Sequence, residues 1–412
     1  MPGPSLDRLS RHVVIVGASL AGTRTAQALR SLGHTGAITL IGAETELPYD
    51  RPPLSKTLLK SAWSEADVEA VRLMSMEDAD ELDLTLRLGS PATGLDPAAR
   101  RVQLADGTTV PYDVLVIATG AAARPSPWQP PSGVYQLRTL DDARAIAARL
   151  ALKEPVVVVG GGFIGTEIAA AAIELGCPVT VVDPLPEPMA RLVGPELAAL
   201  LVELHTRNGS RTRFGVGVTG IEGSAGQLEV ILDDGERLPA STAVVGIGSV
   251  PVTDWLTGSG LKLDNGVLTD GFLAAIGVED VYAVGDVACW PHPGRGLTLR
   301  AEHWTNASDQ ARYLATRLTG GTSESYRPSD YVWSDQFDWK INAVGWRDAA
   351  GRSVVIGDLA GGRRAAVVHA DASGAACGVV TVNWARALTQ ARRLLAGGSP
   401  AEAVVEAMGK LA

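Results

Sequence analysis

Two stretches of this chain repeat one pattern: an apolar run, a glycine turn, then an alanine-rich helical stretch. The first is Val13-Val14-Ile15-Val16 followed by Gly17-Ala18-Ser19-Leu20-Ala21-Gly22. The second is Val156-Val157-Val158-Val159 followed by Gly160-Gly161-Gly162-Phe163-Ile164-Gly165. A short continuous apolar run bounded by a turn fits a strand buried on both faces. Glycines in such a turn let backbone N–H groups approach a pyrophosphate at the start of a helix. One such turn is also compatible with an ordinary strand–helix connection. Two on one polypeptide imply two nucleotides, and the economical assignment is a flavin on the first and a nicotinamide donor on the second.

The second turn carries all three glycines of the fingerprint, Gly160, Gly162 and Gly165, with Phe163 and Ile164 between them. The first keeps Gly17 and Gly22 but has Ser19 in the middle place, where close backbone approach is required. Serine is small, so the approach is expected to survive. A ribose-binding acid should follow at the end of the next strand, about 20 residues on. Glu44, after Ala37–Ile41, fits that place for the first turn, and Asp183, after Val179–Val182, fits it for the second. Either also reads as a solvated loop carboxylate. A carboxylate at Asp183 repels a 2′-phosphate and favours NADH over NADPH, a preference that Arg191 near the adenosine half would soften.

At 412 residues, 46% hydrophobic and 20% charged, the chain is expected to build two or three domains with sizeable cores. The net charge of −10 opposes a general nucleic-acid role, because phosphate binding needs a basic face. Three cysteines, Cys177, Cys289 and Cys377, lie far apart and show no metal-ligand spacing. No metal site is expected. A reducing cytoplasm is the natural setting. No apolar stretch reaches the length of a membrane span. Arg8 and Arg11 before the first apolar run faintly resemble a signal peptide, but the run ends at Gly17 and reads as a first strand.

Further along, Leu47–Lys56 is a rigid proline turn in which Ser55 is a candidate helix cap. Tyr112–Gly120 is a buried strand closing on Ala118-Thr119-Gly120, and Arg124–Pro131 is a proline-rich crossover. Asp141–Leu152 reads as a helix, Gln227–Leu232 and Thr242–Gly248 as strands, and Val281–Asp286 as a buried strand ending in a Gly-Asp turn. Trp304–Leu318 is helical. From Tyr326 the texture changes to aromatic and β-branched runs at Val332–Phe337, Ser353–Leu359, Arg364–Ala370 and Gly378–Trp384, followed by helices over Ala385–Ala396 and Pro400–Leu411. The expected architecture is α/β, with two Rossmann-like dinucleotide-binding domains and a C-terminal α+β domain. The expected boundaries are 1–122 and 245–325 for the FAD-binding domain, 123–244 for the NAD(H)-binding domain and 326–412 for the last.

The motifs Leu47–Lys56, Ala118-Thr119-Gly120, Tyr282–Asp286, Glu302-His303-Trp304 and Trp333-Ser334-Asp335-Gln336 are specific. Through them the chain resembles the FAD-dependent NAD(P)H:ferredoxin reductases of bacterial oxygenase systems, the putidaredoxin reductase, rhodocoxin reductase and biphenyl dioxygenase reductase type. The resemblance implies that Arg51 and Lys56 lie by the flavin, with Lys56 near its N5 edge. It implies that Ala118, Thr119, Gly120, Arg124 and Gly248 line cofactor. Gly285 and Asp286 would bind the ribityl or pyrophosphate region, His303 would contact cofactor, and Trp304 and Trp333 would flank the isoalloxazine. Glu167 and Glu302 would face the nicotinamide carboxamide, so that Lys56, Glu167 and Glu302 are the candidate catalytic residues. Solvated charges, a turn aspartate and core aromatics are the structural alternatives at these positions.

The resemblance also implies a disulfide-reductase-like fold, whose disulfide-reducing members pass electrons from flavin to a cysteine after the first unit, yet Thr45–Ser61 holds no cysteine. The expected reaction is hydride transfer from NADH to FAD and release of single electrons to a small iron–sulfur ferredoxin, which serves a cytochrome P450 or a ring-hydroxylating oxygenase. An NADH oxidase or quinone-type reductase, and a non-catalytic redox sensor, are the alternatives. Ferredoxins are usually acidic, so Arg72, Arg295, Arg300, Arg312 and Lys340 are candidate docking cations, with a structural role open for Arg300.

Overall fold

The computed structural model describes residues 6–128, 131–358 and 364–411. Two residues of the proline-rich crossover and the last residue of the strand expected to reach Leu359 lie outside them. The chain forms two compact units. The first comprises Met1–Asp50, Val68–Ala122 and Ser249–Ser329; the second comprises Arg51–Asp67, Ala123–Gly248 and Asp330–Ala412.

The first unit is built on a five-stranded parallel sheet, in the order Val281–Ala283, Val114–Ile117, Val13–Val16, Ile38–Ile41, Leu84–Arg87. Its three central strands are buried at every position because both faces are covered, whereas the edge strand Leu84–Arg87 alternates. Val13 and Ile15 pack with Leu29 of the helix Leu20–Ser31 and Leu314 of the helix Trp304–Leu318. Val14 and Val16 point the other way, toward Val102, Leu104, Trp255 and Leu256. A three-stranded antiparallel sheet (Ala92–Asp96, Arg101–Leu104, Thr109–Pro111) supplies part of that second layer.

The second unit repeats the design. Its parallel sheet runs Arg211–Phe214, Val179–Asp183, Val156–Val159, Thr242–Val245, Val134–Tyr135, with an antiparallel trio (Val218–Ser224, Gln227–Leu232, Arg237–Ala240) sharing its core. The C-terminal sheet is antiparallel, in the order Tyr331–Gln336, Trp339–Gly345, Ala376–Val382, Arg364–Ala370, Arg352–Asp358. One face buries Trp339, Ile341, Val367 and Val380 against Leu197, Leu201 and Leu204 of the helix Pro195–Arg207. The other face is covered by the helices Ala385–Ala396 and Ala401–Gly409.

Two sequence expectations change. Residues 51–67, grouped with the first nucleotide unit, cluster with the second, because the 3-10 turns Pro52–Ser55 and Leu58–Lys60 pack on the helices Leu140–Leu150 and Phe163–Glu174. Ser55 caps no helix: it is the last residue of a 3-10 turn, and its buried hydroxyl is used elsewhere.

Candidate functional site

Both parallel sheets put their glycine turn at the point where strand order reverses. From Val13–Val16 the chain builds outward through Ile38–Ile41 and Leu84–Arg87, then places Val114–Ile117 on the opposite side. From Val156–Val159 it builds through Val179–Asp183 and Arg211–Phe214, then places Thr242–Val245 on the opposite side. The crevice outside the carboxyl ends at such a switch is the ligand site of open α/β sheets. In the second unit Gly160 has φ +115°, and a Cβ there would sit 2.2 Å from the Gly246 carbonyl oxygen. A Cβ on Gly165 would sit 2.0 Å from the Gly160 carbonyl oxygen, so neither glycine is replaceable. Gly17 and Gly22 stand in the same relation, Gly17 to the Ala118 carbonyl and Gly22 to the Gly17 carbonyl.

The middle position differs. A Cβ on Gly162 would meet nothing within 4 Å, so the approach to the helix N-terminus is open. Ser19 holds the equivalent place in the first turn, as the extended N-cap residue of Leu20–Ser31, where its side chain makes no capping bond. The small serine therefore fits where open space is available.

The first unit gathers most of the residues assigned to the flavin. Val16, Ile117, Ala283 and Ile41 end in register, so Gly17–Ser19, Ala118–Gly120, Gly285-Asp286 and Glu44 follow at one sheet edge. Tyr49 donates its hydroxyl to Glu44 at 2.5 Å. Gly285 has φ +76° and packs so closely on the first turn of Leu20–Ser31 that a Cβ would lie 2.9 Å from the Ala21 methyl. Gln310, fully buried, accepts the Gly285 N–H at 2.7 Å. This convergence of backbone turns at the start of a helix, with carboxylates at Glu44 and Asp286, fits a dinucleotide: amides for the phosphates, acids for the sugar hydroxyls.

Beside that edge, Trp304 opens its helix and donates its indole N–H to Asp50 at 2.7 Å. His303 is the extended N-cap residue. Glu302 pairs with Arg300 at 2.5 Å and accepts the Ser249 hydroxyl. Arg300 also donates to the Asp286 carbonyl at 3.0 Å, and its side chain is only 8% exposed. Arg300 is thus removed from the docking cations: a buried, neutralised guanidinium holds the Asp286 turn instead of presenting charge. Arg72 and Arg312 are paired with Glu69 and Asp309, each three residues earlier in the sequence, while Arg295 and Lys340 are exposed.

In the second unit Asp183 turns back onto the glycine loop. Its carboxylate accepts the Gly161 N–H at 2.7 Å and the Leu185 N–H at 2.8 Å. Each oxygen retains acceptor capacity for a ribose hydroxyl. Phe163 is half-buried and Ile164 exposed at the same turn. Arg191 is exposed on the short helix Ala190–Val193. The Arg124 N–H bonds the Gly248 carbonyl at 2.9 Å, which ties those two residues together.

Glu167, on the helix Phe163–Glu174, is 5% exposed and fully engaged. One oxygen pairs with the Lys56 ammonium at 2.7 Å and accepts the Ser334 hydroxyl at 2.5 Å; the other accepts the Ser55 hydroxyl at 2.5 Å. A charge buried to this degree must be paired and hydrogen-bonded. Arg51 donates to the Arg138 carbonyl. Trp333 stacks on Tyr331 with centroids 5.9 Å apart, and Arg392 lies 3.9 Å over the other aromatic of that pair, Tyr331. Ser55, Ser334, Gln336 and His205 were not singled out as site residues from sequence. The available signal was the alternation of Trp333-Ser334-Asp335-Gln336, in which a strand turns Ser334 and Gln336 inward together.

Residues 11–311 match the family model described as pyridine nucleotide-disulphide oxidoreductase, and residues 331–407 match the model described as reductase C-terminal. The chain is 38% identical to a rhodocoxin reductase of Rhodococcus erythropolis over 391 residues, covering 94% of this chain and 90% of the relative. It is 37% identical to the ferredoxin–NAD(+) reductase component of the anthranilate 1,2-dioxygenase system of Burkholderia cepacia, covering 94% of each. The crystal structure of a covalent putidaredoxin reductase–putidaredoxin complex superposes with a TM-score of 0.89 at 32% identity, over 95% of this chain and 94% of that one.

Proposed function

Because the chain belongs to the pyridine nucleotide-disulphide oxidoreductase family, we propose that it is an NADH-dependent ferredoxin reductase. It takes reducing equivalents from NADH and delivers single electrons to a small iron–sulfur ferredoxin that serves a cytochrome P450 or a ring-hydroxylating oxygenase. The observation that carries this reading is the pair of dinucleotide turns at two strand-order switches, on a chain whose relatives include ferredoxin–NAD(+) reductases. FAD supplies the redox chemistry when bound: it accepts a hydride and returns electrons one at a time.

The protein's part is binding, alignment and electrostatics. Backbone amides after Gly17 and Gly160 hold the two pyrophosphates, and Glu44 and Asp183 take ribose hydroxyls. Asp183 repels a 2′-phosphate, and no cation flanks it in Pro184-Leu185-Pro186, so NADH is preferred. The Asp286 turn, with Ala118, Thr119 and Gly120, lines the flavin's sugar and phosphate region. Lys56 supplies positive charge that stabilises the reduced cofactor, and a largely buried ammonium does this more strongly than a solvated one. Glu167 holds that ammonium in place. His303, Trp304 and Trp333 would complete the surroundings of the redox group, Glu302 would face the nicotinamide carboxamide, and Arg51 and Arg124 would contact the FAD. No thiol relay takes part: Cys177, Cys289 and Cys377 are all buried and unpaired. No helix among the described residues is long and apolar enough to cross a membrane, and a cytoplasmic setting fits three free thiols.

NADH-driven cytochrome c reduction tests the reading. Turnover that rises steeply on addition of a two-iron ferredoxin supports it. Equal turnover without ferredoxin supports an NADH oxidase or quinone-type activity instead, and a long-lived reduced state with no turnover supports a redox sensor.

A further inference from the structure

The Lys56–Glu167 pair is the near end of a longer buried chain. Ser334 donates to Glu167 at 2.5 Å, Gln336 Nε2 lies 3.1 Å from the Ser334 oxygen, and Gln336 Oε1 lies 2.9 Å from His205 Nε2. All three residues are at most 3% exposed: Ser334 and Gln336 are on the strand Tyr331–Gln336, and His205 is on the helix Pro195–Arg207. The other His205 ring nitrogen, Nδ1, is buried with no hydrogen-bond partner.

The direction of every bond follows from one end. Glu167 is ion-paired to Lys56 and is therefore a carboxylate, which only accepts. Ser334 must then spend its single proton on Glu167, so its oxygen receives from Gln336. Only the amide nitrogen of Gln336 can give that bond, which leaves Oε1 facing His205. An amide oxygen only accepts, so His205 carries its proton on Nε2. Burial holds the imidazole below its ordinary pKa, which leaves Nδ1 bare.

We infer that His205, Gln336 and Ser334 form a one-directional donor chain that positions the Glu167 carboxylate and, through it, the Lys56 ammonium. They are positioning residues, in contact with one another and with Glu167. The inference deepens the proposed function, because it takes Lys56 to act at the redox group. Glutamine at 336 accepts from His205 with its oxygen and donates to Ser334 with its nitrogen, which neither a carboxylate nor an apolar side chain can do.

Gln336→Glu tests the direction with little change of shape. A carboxylate at 336 still accepts from His205 but pulls the Ser334 proton away from Glu167 and adds a like charge to the chain. In the FAD-loaded protein, anaerobic flavin reduction by NADH should slow about tenfold or more, with the affinity for NADH little changed. Gln336→Met should slow it similarly without adding charge. His205→Phe should slow it as well, and His205→Gln, which restores a donor at the place of Nε2, should recover most of the loss.

A readout independent of turnover comes from nitrogen NMR of histidine-labelled protein. His205 should be neutral and protonated on Nε2 in the wild type, and doubly protonated in Gln336→Glu. His205 protonated on Nδ1 in the wild type would overturn the inference, as would wild-type reduction rates in both residue-336 variants. The wild-type spectrum keeps the test open if a variant fails to fold. Absence of electron transfer to any ferredoxin, with both NADH-side results as expected, would count against the ferredoxin reading and not against the donor chain.

Discussion

The Asp183 carboxylate accepts the Gly161 N–H at 2.7 Å, so the acid that ends one strand is tied to the glycine turn that ends its neighbour. A carboxylate in this bond is fixed before any nucleotide arrives, and on the proposed reading its charge would face the substituent at the 2′ position. Removing it should cost binding and selectivity together. Asp183→Ala should weaken NADH binding by about tenfold, the loss of charge-assisted bonds to ribose and loop. The ratio of NADPH to NADH reduction rates should rise. Stopped-flow reduction at varied concentrations of each donor separates the two effects.

Lys56 and Glu167 depend on one another. Taking away one partner of a buried ion pair leaves an uncompensated charge, at a cost of about 3 kcal/mol. Glu167→Ala should therefore destabilise the protein by about that amount. Adding Lys56→Met should recover part of the loss, because the stranded ammonium is gone. Urea unfolding of the single and double variants measures the coupling, and Lys56→Ala should in addition slow NADH-dependent flavin reduction.

The two glycine turns should fail separately. A methyl on Gly165 would fall 2.0 Å from the Gly160 carbonyl oxygen, and one on Gly22 would fall 1.9 Å from the Gly17 carbonyl oxygen. Gly165→Ala should leave a yellow protein that NADH reduces poorly. Gly22→Ala should lose the colour itself. Visible absorbance after purification, followed by NADH titration, checks both.

Much of this was readable from the chain because a parallel strand covered on both faces has no choice but to be apolar throughout. Val13–Val16 and Val156–Val159 announce themselves for that reason, and glycine follows each because backbone crosses backbone there. The strand Trp339–Gly345 was passed over: Lys340 and Asn342 alternate with its buried residues, and it sits between two strands of one antiparallel sheet. Lys56 stood out by motif and Glu167 by resemblance, but that Ser55 and Ser334 bond Glu167 and that Gln336 and His205 continue the chain did not. Ser55 and Glu167 are 112 residues apart, Ser334 and Glu167 167, and Gln336 and His205 131, and no local pattern links positions at that range. Arg300 was legible only as a candidate docking cation with a structural role open, because composition records a charge and not whether it is buried; its 8% exposure and its bond to the Asp286 carbonyl favour the structural role.

His369 gives the C-terminal sheet a pH limit. It is 2% exposed, bonded at Nδ1 to the Ser353 hydroxyl at 2.8 Å, with Nε2 buried and without a partner. Burial first, and then the charge of Arg347, lowers its pKa to about 4. A histidine whose folded pKa lies below the unfolded value of 6.5 contributes fully above 6.5 and loses that contribution as pH falls toward 4. Stability should drop across that window by up to about 3 kcal/mol from this group. His369→Gln should flatten the dependence in urea unfolding series between pH 4 and 7, which isolates this residue from the carboxylates.

A single-turnover experiment tests the central claim most directly. The FAD-loaded protein is reduced anaerobically with one equivalent of NADH and mixed with an excess of oxidised two-iron ferredoxin. The account expects the flavin absorbance to return rapidly, with one ferredoxin reduced per electron and therefore two for each hydride taken from NADH. Flavin that stays bleached in the presence of each of a panel of ferredoxins, yet recovers on admitting oxygen or a quinone, would contradict it.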